Sequence, residues 1–250
     1  MEPLTNNGLG FAEDISVLWV YLKTSPLLWL TATLGAYAVA DRISQFFHRH
    51  PMANPVIGAV AILVCLLLVT DTPYLEYFEG AQFVHFLLGP ATIALGIPLL
   101  ENLDRVRRAL PALVTALVVG SITALGSAMA LALLSGADSL TTISLAMKSV
   151  TSPIAMSLTE SLGGLPRLSA VLVIVTGVFG AIIVTPLMNA LRIRDARARG
   201  FAAGIAAHGL GTARAFVVHP VAGTFAGIGL ALNGIITTLW VSAWLLFTGG

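Results

Sequence analysis

The stretch SLAMKSVTSPIAMSLTESLGG, residues 144–164, sets a bare ammonium among hydroxyl side chains and a proline inside an otherwise apolar run. The ammonium is Lys148, one of only two lysines in the chain. Ser149, Thr151 and Ser152 follow it, and then Pro153. A proline has no N–H for the helix ladder and pushes the residue before it out of the helical region, so backbone groups near 150–153 are freed. A helix restarting at Pro153 aims its first N–H groups, and the positive end of its dipole, back into the gap. Ammonium, hydroxyls and helix N-terminus share one requirement, a small anion. The plainer alternative is a proline-kinked helix whose serines and threonines bond back to their own backbone.

Two further stretches carry polar chemistry. RGFAAGIAAHGLGTARAF, residues 199–216, places His208 and Thr212 among Gly204, Gly209 and Gly211, with Arg214 just beyond. The set suits an anion- or proton-handling element; the plainer alternative is a helix–helix hydrogen bond with glycines as close-packing positions. LLGPATIALGIPL, residues 87–99, echoes residues 150–162 in setting a Gly-Pro or Ser-Pro pair before small and hydroxyl residues. Broken helices at matching positions in two halves point to a transporter site, which makes Pro90 and Thr92 candidate cavity residues. Asn233, an amide inside the last apolar run, completes the candidate substrate-binding set.

These residues must be positioned by membrane-embedded helices. Of 250 residues, 57% are hydrophobic and only 10% charged, against roughly 25% charged in soluble domains. The net charge of +1 gives no basic surface for nucleic acid. The single cysteine, Cys65, cannot form an intramolecular disulfide. Acidic residues and the absence of a basic opening segment argue against a cleaved signal peptide at the N-terminus. Apolar runs of spanning length cover 24–40 (continuing to Phe47), 54–70, 80–100, 109–135, 168–191 and 215–250, with broken segments at 80–100, 140–162 and 200–215. The expected fold is an all-α polytopic membrane protein of about six to eight segments, with an internal inverted repeat and an elevator-like architecture. Residues 1–23 form an extension with an amphipathic interfacial piece near 14–22, and 24–250 form a single transmembrane domain.

Arginine-rich connections at 42–49, 105–108 and 192–199 belong on the cytoplasmic side by the positive-inside rule, and the acidic connections at 71–79 and 138 belong outside. If 140–162 crossed fully, the four-arginine connection at 192–199 would fall outside. A re-entrant hairpin, entering and leaving on one side, removes the conflict. Lys148 then lies about 15 Å of helix beyond Asp138, where an ammonium costs roughly 2.5–3.5 kcal/mol. A water- or anion-filled protein cavity makes that cost tolerable.

KSVTSPIAM followed by SLGG, then HGLGTARA and later ALNGI, resembles the LrgB/CidB family, including the LrgB-like half of the plastid glycolate/glycerate transporter. The resemblance runs from about Asn54 to the C-terminus. Met147 and Ser152 stand where family members more often carry Pro and Thr. The resemblance implies one of two functions in a bacterial cytoplasmic (inner) membrane. One is transport of small carboxylates such as pyruvate, glycolate or glycerate. The other is antiholin-like regulation of murein hydrolases with a small LrgA/CidA-type partner. The residues favour the first: Lys148 and the Pro153 half-helix for the carboxylate, Thr151 and Ser152 for substrate oxygens, His208 and Arg214 for charge balance or coupling to protons or sodium. The expected partners are the carboxylate, the bilayer, an LrgA/CidA-type subunit and a second copy of the chain. No cofactor or metal is expected. Enzymatic chemistry is not expected either: there is no G-x-S-x-G elbow, and adjacent Lys148 and Ser149 point about 100° apart on a helix.

Overall fold

The computed structural model describes residues 25–87, 100 and 102–248. They separate into two compact units that divide between residues 93 and 94. The candidate residues Pro90 and Thr92, and the amphipathic piece near 14–22, lie outside the described residues.

The first unit holds α1 (Pro26–Phe46), α2 (Pro55–Val69) and α3 (Tyr74–Phe86). Prolines at the first positions of α1 and α2 cost those helices no bond, because the first N–H groups have no intrahelical acceptor. Asn54 caps α2, its side chain accepting from Val56 N at 2.8 Å. Small residues let α1 and α2 approach around Ala36, Ala40, Ala59 and Leu63. Trp29 is buried and meets Tyr77 edge-on, with ring centroids 5.8 Å apart. Helix α3 occupies most of the stretch read from its acidic residues as a connection at 71–79; Tyr77 and Gly80 pack it on Trp29 and Thr33 of α1.

The second unit holds α4 (Leu103–Leu134), α5 (Ser139–Ala146), a 3-10 turn (Met147–Ser149), α6 (Ser152–Ser161), α7 (Pro166–Ala190), α8 (Ala196–Val218) and α9 (Pro220–Thr248). Helix α4 starts earlier than the apolar run and absorbs the basic 105–108 stretch into its first turns. The final run is interrupted at His219, and Pro220 opens α9 afresh. Four described helices are long and apolar enough to cross a membrane: Val106–Leu134, Pro166–Ala190, Ala196–Val218 and Pro220–Phe247. The six to eight segments expected from the sequence include shorter and broken runs that fall below this length and composition.

One of those four does not run straight. Helix α8 is broken at Ala207 (φ −128°, ψ 16°) and His208 (φ 39°, ψ −130°). Beyond the break the chain turns back: a Cβ on Gly211 would lie 2.5 Å from the carbonyl oxygen of Ala203, eight residues earlier. In a straight helix those residues are about 12 Å apart. Ala196 and Ala215, from the two arms, both pack on Ala222 and Ala226 of α9. Residues 196–218 therefore form a hairpin with its tip at 207–208.

Residues 139–165 form the other hairpin, the first in chain order; 196–218 is the second. Asp138 caps α5 through Thr141 N, and the 3-10 turn ends in extended backbone at Val150 and Thr151 before α6 starts. Gly163, in the left-handed region at φ 73°, closes α6 with Gly163 N donating to Glu160 O and Gly164 N to Thr159 O. Gly164 then lies against Ile143, in the middle of α5. Ser144 ties the base, accepting from Leu165 N at 2.9 Å and donating to Leu140 O at 2.7 Å.

The two hairpins enter from opposite ends. The first packs on Leu125 of α4 and on Val241 and Leu245 of α9, all in the later halves of those helices. The second packs on Leu113 and Leu117 of α4 and on Phe225 and Ile228 of α9, in the earlier halves. The opposed pair is thus 139–161 and 196–218. The pairing of 87–99 with 150–162 suggested by the sequence falls largely on residues 88–99, outside the described set.

Candidate functional site

The hairpin tips meet beside Val173 of α7. Val150 of the first tip is buried in one apolar cluster with Val173, and the His208 ring of the second tip contacts the Val173 carbonyl through Nε2 at 2.8 Å. Since a carbonyl only accepts, Nε2 carries the proton there. The ring fits because α7 has glycine at 177: a Cβ there would lie 2.5 Å from His208 Cε1. Gly180 makes the same allowance for Ala207. A non-glycine residue at φ 39° costs about 1–3 kcal/mol; at the tip it is held by the ring's bond to Val173 and by Thr212, whose hydroxyl donates to His208 O at 2.8 Å.

Lys148 sits in the 3-10 turn at the first tip, half-buried, its Nζ 3.4 Å from Ser149 Oγ. Among the described residues, the ion pairs are Arg49–Asp41 and Arg197–Asp195, and neither involves Lys148. Thr151 precedes α6 in the N-cap position without a side-chain cap bond, leaving that N-terminus open toward the tip. Gly209 begins the returning arm of the second hairpin, is exposed, and has open space where a Cβ would stand. Two half-helix N-termini, those of α6 and of the returning arm, thus start at the tips.

Asn233 of α9 joins the tips from behind. It is 1% exposed, and its Nδ2 donates to Ser149 O at 3.0 Å and to Ile205 O at 3.3 Å. Its position matches a supporting role, since its amide nitrogen is engaged by backbone of both hairpins.

The structure does not bring Arg214 into this cluster. It lies at the hairpin base, its Nε donating to Thr185 Oγ1 at 3.4 Å, while Arg199 from the other arm donates to Thr185 O at 3.4 Å. The returning chain reverses direction at 208, so six residues carry Arg214 away from the tip. Gly211 serves packing against Ala203. Sequence reasoning missed Ser144, Gly177, Gly180 and Thr185. Their contacts join residues 14 to 31 positions apart, which local periodicity does not encode.

A cleft of about 510 Å³ runs along the second hairpin's outer arm, from Arg108 and Arg197 at its mouth to Gly120 and Ile205 near the tip. At the mouth, Asp195 caps α8 and pairs with Arg197 at 2.6 Å, and the hydrogen bonds from Arg197 hold its carboxyl down to about 2.

The LrgB-like family model matches residues 33–247. The chain belongs to the LrgB-like family. Protein YwbG of Bacillus subtilis, itself uncharacterised, is 34% identical over 208 residues, covering 83% of this chain and 92% of its own. The holin-like protein CidB of Staphylococcus epidermidis is 26% identical over 226 residues, 90% of this chain and 97% of its own. The antiholin-like protein LrgB of Bacillus cereus is 28% identical over 229 residues, 90% and 98% respectively. No solved structure matches the chain. LrgB-like membership and the apolar helices make this a multi-pass bacterial membrane protein. The names of these relatives side with the antiholin-like reading of the sequence rather than with carboxylate transport.

Proposed function

We propose that this LrgB-like chain is a non-enzymatic, holin/antiholin-like membrane protein working with a small LrgA/CidA-type membrane subunit. The observation that carries the proposal is alignment along nearly the whole length of relatives named holin-like CidB and antiholin-like LrgB. The test is co-expression with such a subunit and measurement of autolysis and of co-purification in mild detergent. Unchanged autolysis, with no complex recovered, refutes it.

A second reading rests on the site itself: ion-coupled transport of a small carboxylate, with elevator or rocking motion of the hairpins. Its support is Lys148 at the junction of two opposed, broken helices, with Thr151, Ser152 and the N-terminus of α6 beside it. Irregular backbone at membrane depth survives where it lines a cavity or is buried in protein, and opposed half-helices at one depth are how many transporters build their sites. In this reading Lys148 neutralises the carboxylate, the hydroxyls take a keto or hydroxyl oxygen, and His208 balances charge as protons or sodium move. Proteoliposome uptake of pyruvate, glycolate, glycerate and lactate under imposed proton and sodium gradients tests it. Uptake lost in Lys148→Met supports it; a folded wild type that moves none of the four refutes it and leaves the first reading standing.

A further inference from the structure

Asn233 serves two carbonyls that no helix ladder serves. In a continuous helix, Ser149 O would accept from the N–H of residue 153, but residue 153 is proline. Ile205 O would accept from Gly209 N–H, which the break at Ala207 and His208 carries away. One stranded carbonyl belongs to each hairpin, and one amide on a third element answers both. Only the NH2 end of an amide can face two acceptors, so the orientation is fixed by chemistry. The amide oxygen is buried without a hydrogen-bond partner among the described residues.

We infer that Asn233 is a positioning residue that couples the hairpins. A tip that withdraws leaves its own carbonyl without a donor where water is scarce. It also frees the amide, so the remaining bond alone must fix that side chain's rotamer, and the second tip loosens with the first. The hairpins, far apart in sequence and entering from opposite ends, thereby open as a linked pair rather than independently. The coupling does not depend on which solute or partner the protein serves.

The test uses the full chain in a Cys65→Ala background, in lipid bicelles. Val150→Cys reports on the first tip and Ile205→Cys on the second; both positions are buried in the wild type, as is the control position Ala132 in α4. The readout is the rate of reaction with a small methanethiosulfonate reagent. Asn233→Leu, which keeps the bulk and removes both donors, raises the rate at both tips roughly tenfold, the scale of stranding a buried carbonyl, and leaves Ala132→Cys unchanged. Asn233→Ser, milder and able to serve at most one carbonyl, gives a smaller rise at both, and it carries the test if the leucine variant does not fold. A rise confined to one tip, no rise at either, or an equal rise at Ala132→Cys overturns the inference. No solute enters the assay, so its outcome is separate from that of the transport reading.

Discussion

Gly177→Ala adds one methyl group and tests whether the hairpin tip is held by the His208 ring. The new Cβ would lie 2.5 Å from His208 Cε1, 2.8 Å from Nε2 and 2.8 Å from Leu210 Cδ1. Leucine has a flexible end and can yield. The imidazole cannot yield without leaving Val173 O, its 2.8 Å partner. Overpacking costs about 1–3 kcal/mol, and stranding the buried ring nitrogen costs about 1–3 kcal/mol more; Val173 O keeps its own helix bond. Alanine returns about 1 kcal/mol of helix propensity over glycine. The expected net loss is therefore about 1–5 kcal/mol. His208→Ala vacates the space, so Gly177→Ala should cost almost nothing in that background. The resulting coupling, about 2–3 kcal/mol, is within the range for residues in contact. Reversible denaturant unfolding of the four proteins of the cycle in bicelles measures it. A neutral Gly177→Ala, or costs that simply add in the double mutant, would refute the packing argument.

Lys148→Met should leave unfolding stability equal or higher, because it removes a buried charge. If the carboxylate site is there, it should abolish the stabilisation that pyruvate-class anions confer on the wild type, and Lys148→Arg should restore it only in part; stabilisation that persists in Lys148→Met places the anion elsewhere. Impermeant labelling in the Cys65→Ala background should find Ser139→Cys and Ser161→Cys on one face and Ala198→Cys and Val217→Cys on the other; labelling of either pair from opposite faces would replace its hairpin with a spanning helix. Gly204→Ala should destabilise by at least about 3 kcal/mol in thermal or denaturant unfolding, since its Cβ would press on the Ala226 carbonyl, a backbone group that cannot rotate away. Asp195→Ala should cost about 1 kcal/mol through loss of the α8 cap, and Asp195→Asn much less. The Asp195 carboxyl is held below its ordinary value of 3.8, at about 2, so its stabilisation is complete above pH 4 and fades as pH falls toward 2. A pH-stability profile of wild type and Asp195→Ala that stays parallel through that window would contradict it.

The backbone breaks at the tips were legible because proline and glycine act locally. Pro153 strands Ser149 O whatever the tertiary structure, and the glycines around His208 mark a place where the helix can turn. The first hairpin was legible for a different reason: the arginines at 192–199 cannot be placed inside unless 140–162 turns back. The second hairpin was left open, because a 23-residue apolar helix and a folded-back pair of short helices have the same composition. The place of Arg214 stood open for the same reason: a spanning segment takes it to the far interface, and a hairpin returns it to the near side. Asn233 was visible as an amide in an apolar run and as part of ALNGI, residues 231–235. Its two partners lie 84 and 28 residues away, and nothing in its own helix names them. The acidic stretch at 71–79 was read as a connection because its charge outweighed Tyr77 and Gly80, which pack α3 on α1.

The 84 residues between Ser149 and Asn233 also set a clock on biosynthesis. At roughly 5–20 residues per second of translation, the first tip exists for about 4–17 seconds before the amide that closes it has been made. Throughout that interval a broken helix with an unanswered carbonyl must reside in or near the insertion machinery. The C-terminal helix is thus the part that ends the nascent chain's exposure, and a protein stalled or truncated before residue 233 presents two unlatched hairpins to quality control. Such fragments are natural substrates for membrane proteases, and the last helix would decide whether the earlier ones survive.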